Sequence, residues 1–413
     1  MWLNPVFNDY CNFLKSKCGL ELKEGYYFLD RQIIKCFDEN FKEIKLYRIY
    51  INDDLSIHYK KYDNKEFNMI SWHDLLIARE ERLQLLENKS LDVIKNNYNG
   101  GDVVVLSSTG KDSMVTDYLV RKVFNNVTTV FNNTTLDVAD TYLLAKQQGM
   151  LIMNPDIGFY NYIKQENFIP TRFSRACCSI FKEGVFSSKW DREKVTTIYM
   201  GMRNGESSTR SCYGDTWNNK KWSSNWNGVL PIREWQELDV WLYIQKNGIP
   251  VNSKYKKGYN RVGCGIACPY YNKSTWVLDQ YWYNKMYNRW HNILDDDFVN
   301  NNKDLVLNCT QQEYHIAWNG GVVRKEPTQE VINQFAERNE LDPDIAKKFF
   351  NKNCCKCNKK IKNKSEAGIN MKYFGRNIDK YLCKKCFIKE FNIDENKYKE
   401  IINDFKSDGC KLF

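Results

Sequence analysis

Hydrophobic and polar positions change rhythm several times along the chain. In residues 1–70 the apolar runs are short and rich in β-branched and aromatic side chains, at 26–29, 33–37, 45–51 and 56–59. These read as strands, with Asn52-Asp53-Asp54 as a turn between the last two and a helix over 8–17 ahead of them. Residues 72–98 read as helix. Trp72, Leu75 and Leu76 fall at i, i+3 and i+4, and Leu83 and Leu86 continue that face. From 101 to about 250, short apolar blocks (103–106, 127–131, 150–153, 196–200) alternate with helical stretches such as 136–148, which Gly149 stops. Another helix begins near Glu234, its Trp235, Leu238, Trp241 and Leu242 facing a core. This alternation predicts an α/β fold, a mainly parallel sheet with helices on both faces and ligands at the carboxyl ends of its strands.

Beyond 272 the pattern is helical and aromatic, with Trp276, Trp282, Trp290 and Trp318. It predicts a helical extension packed on the sheet, the aromatic stripe being core rather than a base-stacking platform. A helix starting at Pro327 and ending at Asn339 and Asp342-Pro343 belongs to a helical linker over 325–350. The expected domains are a β-rich segment (1–70), an α/β domain (71–271, with a helical lead-in over 72–98), a helical extension and linker (272–350), and a basic cysteine-rich module (351–413).

Composition sharpens two points. The chain is 42% hydrophobic and 15% aromatic, so it is globular, and it has no apolar run long enough to span a membrane. Met1-Trp-Leu-Asn-Pro lacks the basic-then-apolar order of a secretory signal. Fifteen cysteines, an odd number, argue for metal or redox chemistry in a reducing cytoplasm rather than for a disulfide framework. Net charge is +10, and residues 351–413 alone carry 16 Lys+Arg against 8 Asp+Glu. Cys11, Cys18, Cys36, His58 and His73 have no ligand spacing and read as structural. His291 and His315 show no partner pattern.

The chemistry is organised around Ser108-Thr109-Gly110-Lys111-Asp112-Ser113. It lies between the 103–106 strand and a helix marked by Val115, Leu119 and Val123. A strand, a tight polar turn and a helix N-terminus make an anion site, and Lys111 adds a point charge suited to phosphate. The spacing excludes a Walker A loop. The six residues resemble the PP-loop of the ATP-pyrophosphatase superfamily, usually Ser-Gly-Gly-Lys-Asp-Ser. Thr109 stands where that motif has its first glycine, which predicts a position that does not need positive φ.

Four further segments carry chemistry. After a strand, Asp137 in 131–137 offers a carboxylate to a ribose or base, or caps a helix. In Ser174-Arg-Ala-Cys-Cys-Ser-Ile-Phe-Lys, Arg175 and Lys182 flank Cys177 and Cys178, favouring thiolate over two small buried hydrophobes. In 201–210, Arg203 and Arg210 are placed to clamp phosphate or sulfate, with Glu206 to orient an arginine. In Arg261-Val-Gly-Cys-Gly-Ile-Ala-Cys-Pro, Cys264 and Cys268 flank a glycine-containing turn, as a thiolate pair closing around a metal would.

With Pro231-Ile-Arg-Glu-Trp, Asp239-Val-Trp and Gly248-Ile-Pro, these segments stand in the order of the phosphoadenylyl-sulfate (PAPS) reductase family of PP-loop enzymes, which residues 101–270 resemble. The resemblance implies an adenine nucleotide alpha hydrolase-like fold and ATP or adenylyl sulfate, with Mg²⁺, held at Ser108, Thr109, Gly110, Lys111, Asp112 and Ser113. It also implies phosphate or sulfate contacts from Arg203, Arg210 and Arg175. Cys177, Cys178, Cys264 and Cys268 match the positions that hold a [4Fe–4S] cluster in some branches. Three residues separate the later pair where two are usual, which leaves bare thiols or zinc as alternatives.

In the tail, Cys354-Cys-Lys-Cys357 and Cys383-Lys-Lys-Cys386 are two Cys-x-x-Cys knuckles, with Cys355 as the spare. Their separation predicts a zinc ribbon on Cys354, Cys357, Cys383 and Cys386. Lys356, Lys359, Lys360, Lys384 and Lys385 crowd it. That suits nucleic-acid phosphates, a solvated surface or a protein partner.

The first function expected is ATP-dependent sulfur transfer, adenylation then thiolation, to nucleic acid. This resembles the DNA phosphorothioation branch, whose usual sulfur source is a cysteine desulfurase. The alternative is a thioredoxin-dependent sulfonucleotide reductase. Its C-terminal Glu-Cys-Gly is lacking, and Asp408-Gly409-Cys410 is in another order. A non-enzymatic nucleic-acid-binding module fits least.

Overall fold

The computed structural model describes residues 3–208, 210–271, 273–318 and 321–413. Met1 and Trp2 of the leader reading, and Thr209 of the 201–210 segment, lie outside them. The chain divides into two compact units, Met1–Met286 and Tyr287–Phe413.

The first unit begins with an antiparallel sheet in the order β1-β2-β3-β4-β5: β1 (Asn4–Pro5), β2 (Phe28–Asp30), β3 (Ile33–Phe37), β4 (Glu43–Ile51) and β5 (Ile57–Lys61). The helix Asn8–Cys18 precedes β2 and ends at Gly19, whose φ of 72° a side chain would resist. Leu3, Phe28 and Phe37 are buried in one cluster with Leu75, Leu83 and Val105. The β-rich segment therefore shares its core with the α/β domain.

The second sheet runs β10-β9-β6-β7-β8, every pair parallel: β6 (Asp102–Leu106), β7 (Thr128–Asn132), β8 (Leu151–Met153), β9 (Thr196–Met200) and β10 (Trp226–Val229). Central β6 explains the all-apolar run. Val103 and Val105 feed the cluster that contains Val115, Leu119 and Trp241, while Val104 feeds another with Phe186, Ile198 and Trp226. Helices thus cover both faces. β7 and β8 lie to one side of β6, β9 and β10 to the other, so the order reverses between β6 and β9. The loops leaving those two strands open on that crevice, where ligands of open α/β sheets bind. Gly201, just past β9, is held to glycine by proximity, since a Cβ there would stand 2.5 Å from the Asp112 carbonyl carbon.

The second unit is mostly helical. Helices Gln329–Arg338 and Pro343–Lys347 bury Val331, Phe335 and Ala346, with Phe349 and Phe350, in one core with Cys354, Tyr381 and Phe387. The 325–350 stretch is therefore part of that core and not a connector. Asp342 opens a helix rather than closing one, its carboxylate accepting the Asp344 N–H at 2.8 Å. Strand pairing around the cysteine knuckles is confined to the isolated bridges Asn353↔Lys360 and Cys354↔Tyr381, and the second knuckle opens the helix Lys384–Glu390. Among the described residues no helix is long and apolar enough to cross a membrane.

Candidate active site and metal centres

The loop after β6 is tied down by hydroxyls. Ser107 Oγ accepts the Thr109 N–H at 3.1 Å, and Ser113 Oγ donates to the Gly110 carbonyl at 2.9 Å. Thr109 corrects the sequence reading, for its φ is +57°, in the left-handed region. What holds a β-branched residue there is its side chain. It is fully buried, and its Oγ1 accepts from Asn252 Nδ2 at 2.7 Å. Gly110 has an ordinary φ of −74°, and its value is closeness. A Cβ would meet Ser108 Oγ at 3.2 Å and the Tyr255 hydroxyl at 3.5 Å.

Lys111 opens the helix Lys111–Val123 and is buried. Its Nζ lies 2.8 Å from Asp112 Oδ2 and 3.2 Å from Glu237 Oε1. Arg203, also buried, bonds Asp112 Oδ1 through Nε at 2.6 Å and Glu237 Oε2 through Nη2. Two cations and two carboxylates alternate in a closed ring. Burial opposes the charge on Lys111, but Asp112, Tyr255 and Glu237 outweigh it and hold its pKa above the usual value. Burial likewise pushes Asp112 upward, and Lys111 and Arg203 overcome it, leaving its pKa below the usual carboxylate range. Arg203 is thus part of the loop's frame. Arg210 stays partly exposed, held by Glu206, whose Oε2 also accepts the Arg203 N–H at 3.1 Å.

Asp137 follows β7 and accepts from the Thr134 hydroxyl at 2.6 Å. Burial raises its pKa, against the pull of Thr134, Lys254 and Lys182. Cys178 begins a single π-type turn, Cys178–Lys182. A hydrogen bond from Cys177, helped by Lys182 and Arg175, brings the Cys178 thiol down to about 6 and drives Cys177 up. Cys264 is pushed up to about 11, first by burial. Arg261 Nη2 approaches Cys268 Sγ at 3.7 Å. Arg175 lies 4.8 Å over the Tyr270 ring, beside this second pair and not at the phosphate loop.

Cys178, Cys264 and Cys268 all act to raise the Cys177 pKa, which puts the two cysteine pairs near one another. Soft thiols ringed by Arg175, Lys182 and Arg261 fit a four-thiolate iron–sulfur centre, whose net charge is negative. They are less tightly gathered than the tail set. Among the described residues, that set alone has its ligand atoms, on Cys354, Cys357, Cys383 and Cys386, within 4.8 Å of one another. Zn–S bonds of about 2.3 Å put sulfurs roughly 3.8 Å apart in a tetrahedron. Cys357 and Cys383 stand at 3.6 Å, and Cys355 is exposed outside the set.

Sequence reasoning missed Glu237, Asn252, Lys254 and Tyr255. The Tyr255 hydroxyl accepts the Lys111 N–H at 3.3 Å. Asn252 caps the short helix Ser253–Lys256 with its Oδ1 while its Nδ2 reaches Thr109. Lys254 is 1% exposed, lies 4.7 Å over Tyr259, and its Nζ has no hydrogen-bond partner among the described residues. Burial lowers its pKa. Asn-Ser-Lys-Tyr is an ordinary turn in sequence, and only the return of residues 252–255 to the loop gives it a role.

The phosphate-type loop thus lies at the switch point of an open parallel sheet, in the same unit as Cys177, Cys178, Cys264 and Cys268. Residues 102–269 match the phosphoadenosine phosphosulfate reductase domain, and through this segment the chain is similar to that family. It is similar to an uncharacterised protein of Methanocaldococcus jannaschii, 30% identical over 241 residues, which cover 56% of this chain and 58% of that protein. The chain thus spans under two thirds of that relative. It is 25% identical over 214 residues to adenosine 5'-phosphosulfate reductase 2 of Bacillus subtilis, covering 49% of this chain and 88% of that enzyme. Among solved structures it is similar to phosphoadenylyl-sulfate reductase from Candida auris, at 16% identity and a TM-score of 0.36, covering 45% of this chain and 94% of that one.

Proposed function

We propose that the chain is a cytoplasmic ATP-dependent sulfurtransferase acting on nucleic acid. The observation that carries this reading is the residue 252–255 strap. It joins the phosphate loop, through Asn252–Thr109 and Tyr255–Lys111, to Lys254, which feels Cys264 and Asp137. An adenylate at the loop would then lie beside the thiols.

ATP, with Mg²⁺, sits against the loop amides and the helix N-terminus, with Lys111 neutralising phosphate charge and Arg210 reaching outward. An acceptor oxygen attacks the α-phosphorus, and the bond to pyrophosphate breaks. The terminal sulfur of a persulfide, supplied by a cysteine desulfurase, then bonds to the activated acceptor atom as AMP leaves with the bonding pair. A thiol reductant cleaves the remaining S–S bond, supplying two electrons and leaving one sulfur on the acceptor. Cys177, Cys178, Cys264 and Cys268 would hold a [4Fe–4S] cluster, which when bound supplies the sulfur-handling centre. Zn²⁺ on the tail cysteines is structural.

A second reading, sulfonucleotide reduction with thioredoxin, is favoured by the similarity to adenosine 5'-phosphosulfate reductase. Anaerobic protein given ATP, DNA or RNA and a desulfurase should release pyrophosphate and label the nucleic acid with ³⁵S. Sulfite formed from adenylyl sulfate and thioredoxin, without pyrophosphate from ATP, overturns the transferase reading. Cys410→Ser should leave transfer intact and abolish reduction.

A further inference from the structure

A cavity of ≈320 Å³ opens in the C-terminal unit beside the start of helix Lys364–Phe374 and along helix Glu395–Ser407. Tyr398 lines it. This tyrosine is 3% exposed, and its hydroxyl has no hydrogen-bond partner among the described residues. A buried donor left unpaired is costly, so the position calls for an acceptor. Lys384, Lys399 and Lys406 line the same cavity. So does Asn363, the N-cap of the 11-residue helix Lys364–Phe374, whose positive end faces it. One carboxylate, Glu366, shares the wall. It is engaged, its Oε1 accepting the Lys384 N–H at 3.3 Å, while the Lys384 ammonium lies 3.3 Å from Glu395. The lining is net positive, with a neutral donor at its buried end.

We propose that this pocket seats a backbone phosphate of a nucleic-acid strand, with the Tyr398 hydroxyl donating to a phosphate oxygen and Lys399 and Lys406 flanking it. A strand rather than a free anion fits the surroundings, for residues 351–413 carry 16 Lys+Arg against 8 Asp+Glu and extend one phosphate contact into a track. The inference rests on the nucleic-acid reading above, but concerns a site outside the ATP loop, and it can fail separately.

The test uses the full chain loaded with zinc and a fluorescent 20-mer as single-stranded DNA, duplex DNA or RNA, titrated by anisotropy at several salt concentrations. Tyr398→Phe keeps the ring and removes only the hydroxyl. It should weaken binding about 3- to 10-fold without lowering Tm. Lys399→Ala and Lys406→Ala should each lower the slope of log K against log salt by about 0.9 on duplex DNA. ATP binding should be unchanged in all three. Equal affinity and salt slope in wild type and variants, or no binding of any strand, overturns the assignment. So does displacement of the strand by inorganic phosphate at matched phosphate concentration, which would mark a small-anion site. Strand binding that depends on Tyr398, without pyrophosphate release from ATP, leaves the pocket standing and removes the transferase.

Discussion

A single side chain decides much at Thr109 and Lys254. At Thr109 the PP-loop comparison correctly located the loop, but substitution of a glycine suggested a relaxed φ. The left-handed conformation survives because burial and the Asn252 hydrogen bond over-determine it, and no local pattern reports a partner 143 residues away. Thr109→Gly should therefore change stability by under about 1 kcal/mol, relief of φ offsetting the lost bond. Thr109→Val, which keeps the branch and loses the acceptor, should cost about 1–3 kcal/mol by urea denaturation. Lys254 faces Asp279, whose pKa burial raises to about 6 while it accepts from the Tyr259 hydroxyl at 2.8 Å. Because the folded pKa exceeds the unfolded value, the folded state binds more protons. Asp279's contribution is thus present below pH about 4 and lost as pH rises through about 6. Lys254→Met removes the cation that partly lowers it, so the loss should extend toward neutral pH. Tm measured from pH 5 to 8 should fall more steeply in Lys254→Met than in wild type, and Lys254→Met with Asp279→Asn should flatten it.

Elements were legible where pattern and burial coincide. Strand β9 occupies the expected 196–200, all buried, and β6 differs from expectation by one residue. Strand β10 was not foreseen. Trp-Asn-Gly-Val has no apolar run, yet it pairs in parallel with β9, and at Gly228 the Trp217 carbonyl comes within 1.9 Å of where a Cβ would lie. The helix expected near Glu234 starts at Glu237, because Gln236 caps it and Asp239 Oδ2 accepts the Gln236 N–H at 2.9 Å. That short delay puts Glu237 in the first turn, facing Lys111 and Arg203. Its role was invisible beforehand, since one acidic residue at a helix start is common. Glu237→Gln leaves two buried cations with one carboxylate and should cost about 3–5 kcal/mol in urea denaturation. If ATP phosphates take over that compensation, saturating ATP should restore more Tm to Glu237→Gln than it adds to wild type, and equal shifts would count against phosphate at Lys111.

On the scale of the molecule, the spacing of the tail cysteines foretold which four thiols the fold gathers, because two Cys-x-x-Cys knuckles are a local pattern. The helices feeding their core were read as a linker because helical periodicity says which face is apolar, not what covers it. Phe335, Phe349 and Phe350 pack with Cys354 and Phe387, so removal of the metal should be felt back to residue 331. In a unit of this size a metal held by these four thiols would set the fold of its surroundings. A strong chelator, or Cys383→Ser, should therefore melt the Tyr287–Phe413 unit while Met1–Met286 keeps its own transition, giving two steps in calorimetry. Cys355→Ser, outside the set, should leave the unfolding free energy within about 0.5 kcal/mol of wild type. Hydrogen exchange would locate the effect. Protection lost in 331–387 on chelation, with β6 and β9 unchanged, is the expected outcome, whereas loss confined to the knuckles would show that the phenylalanine core holds without the metal.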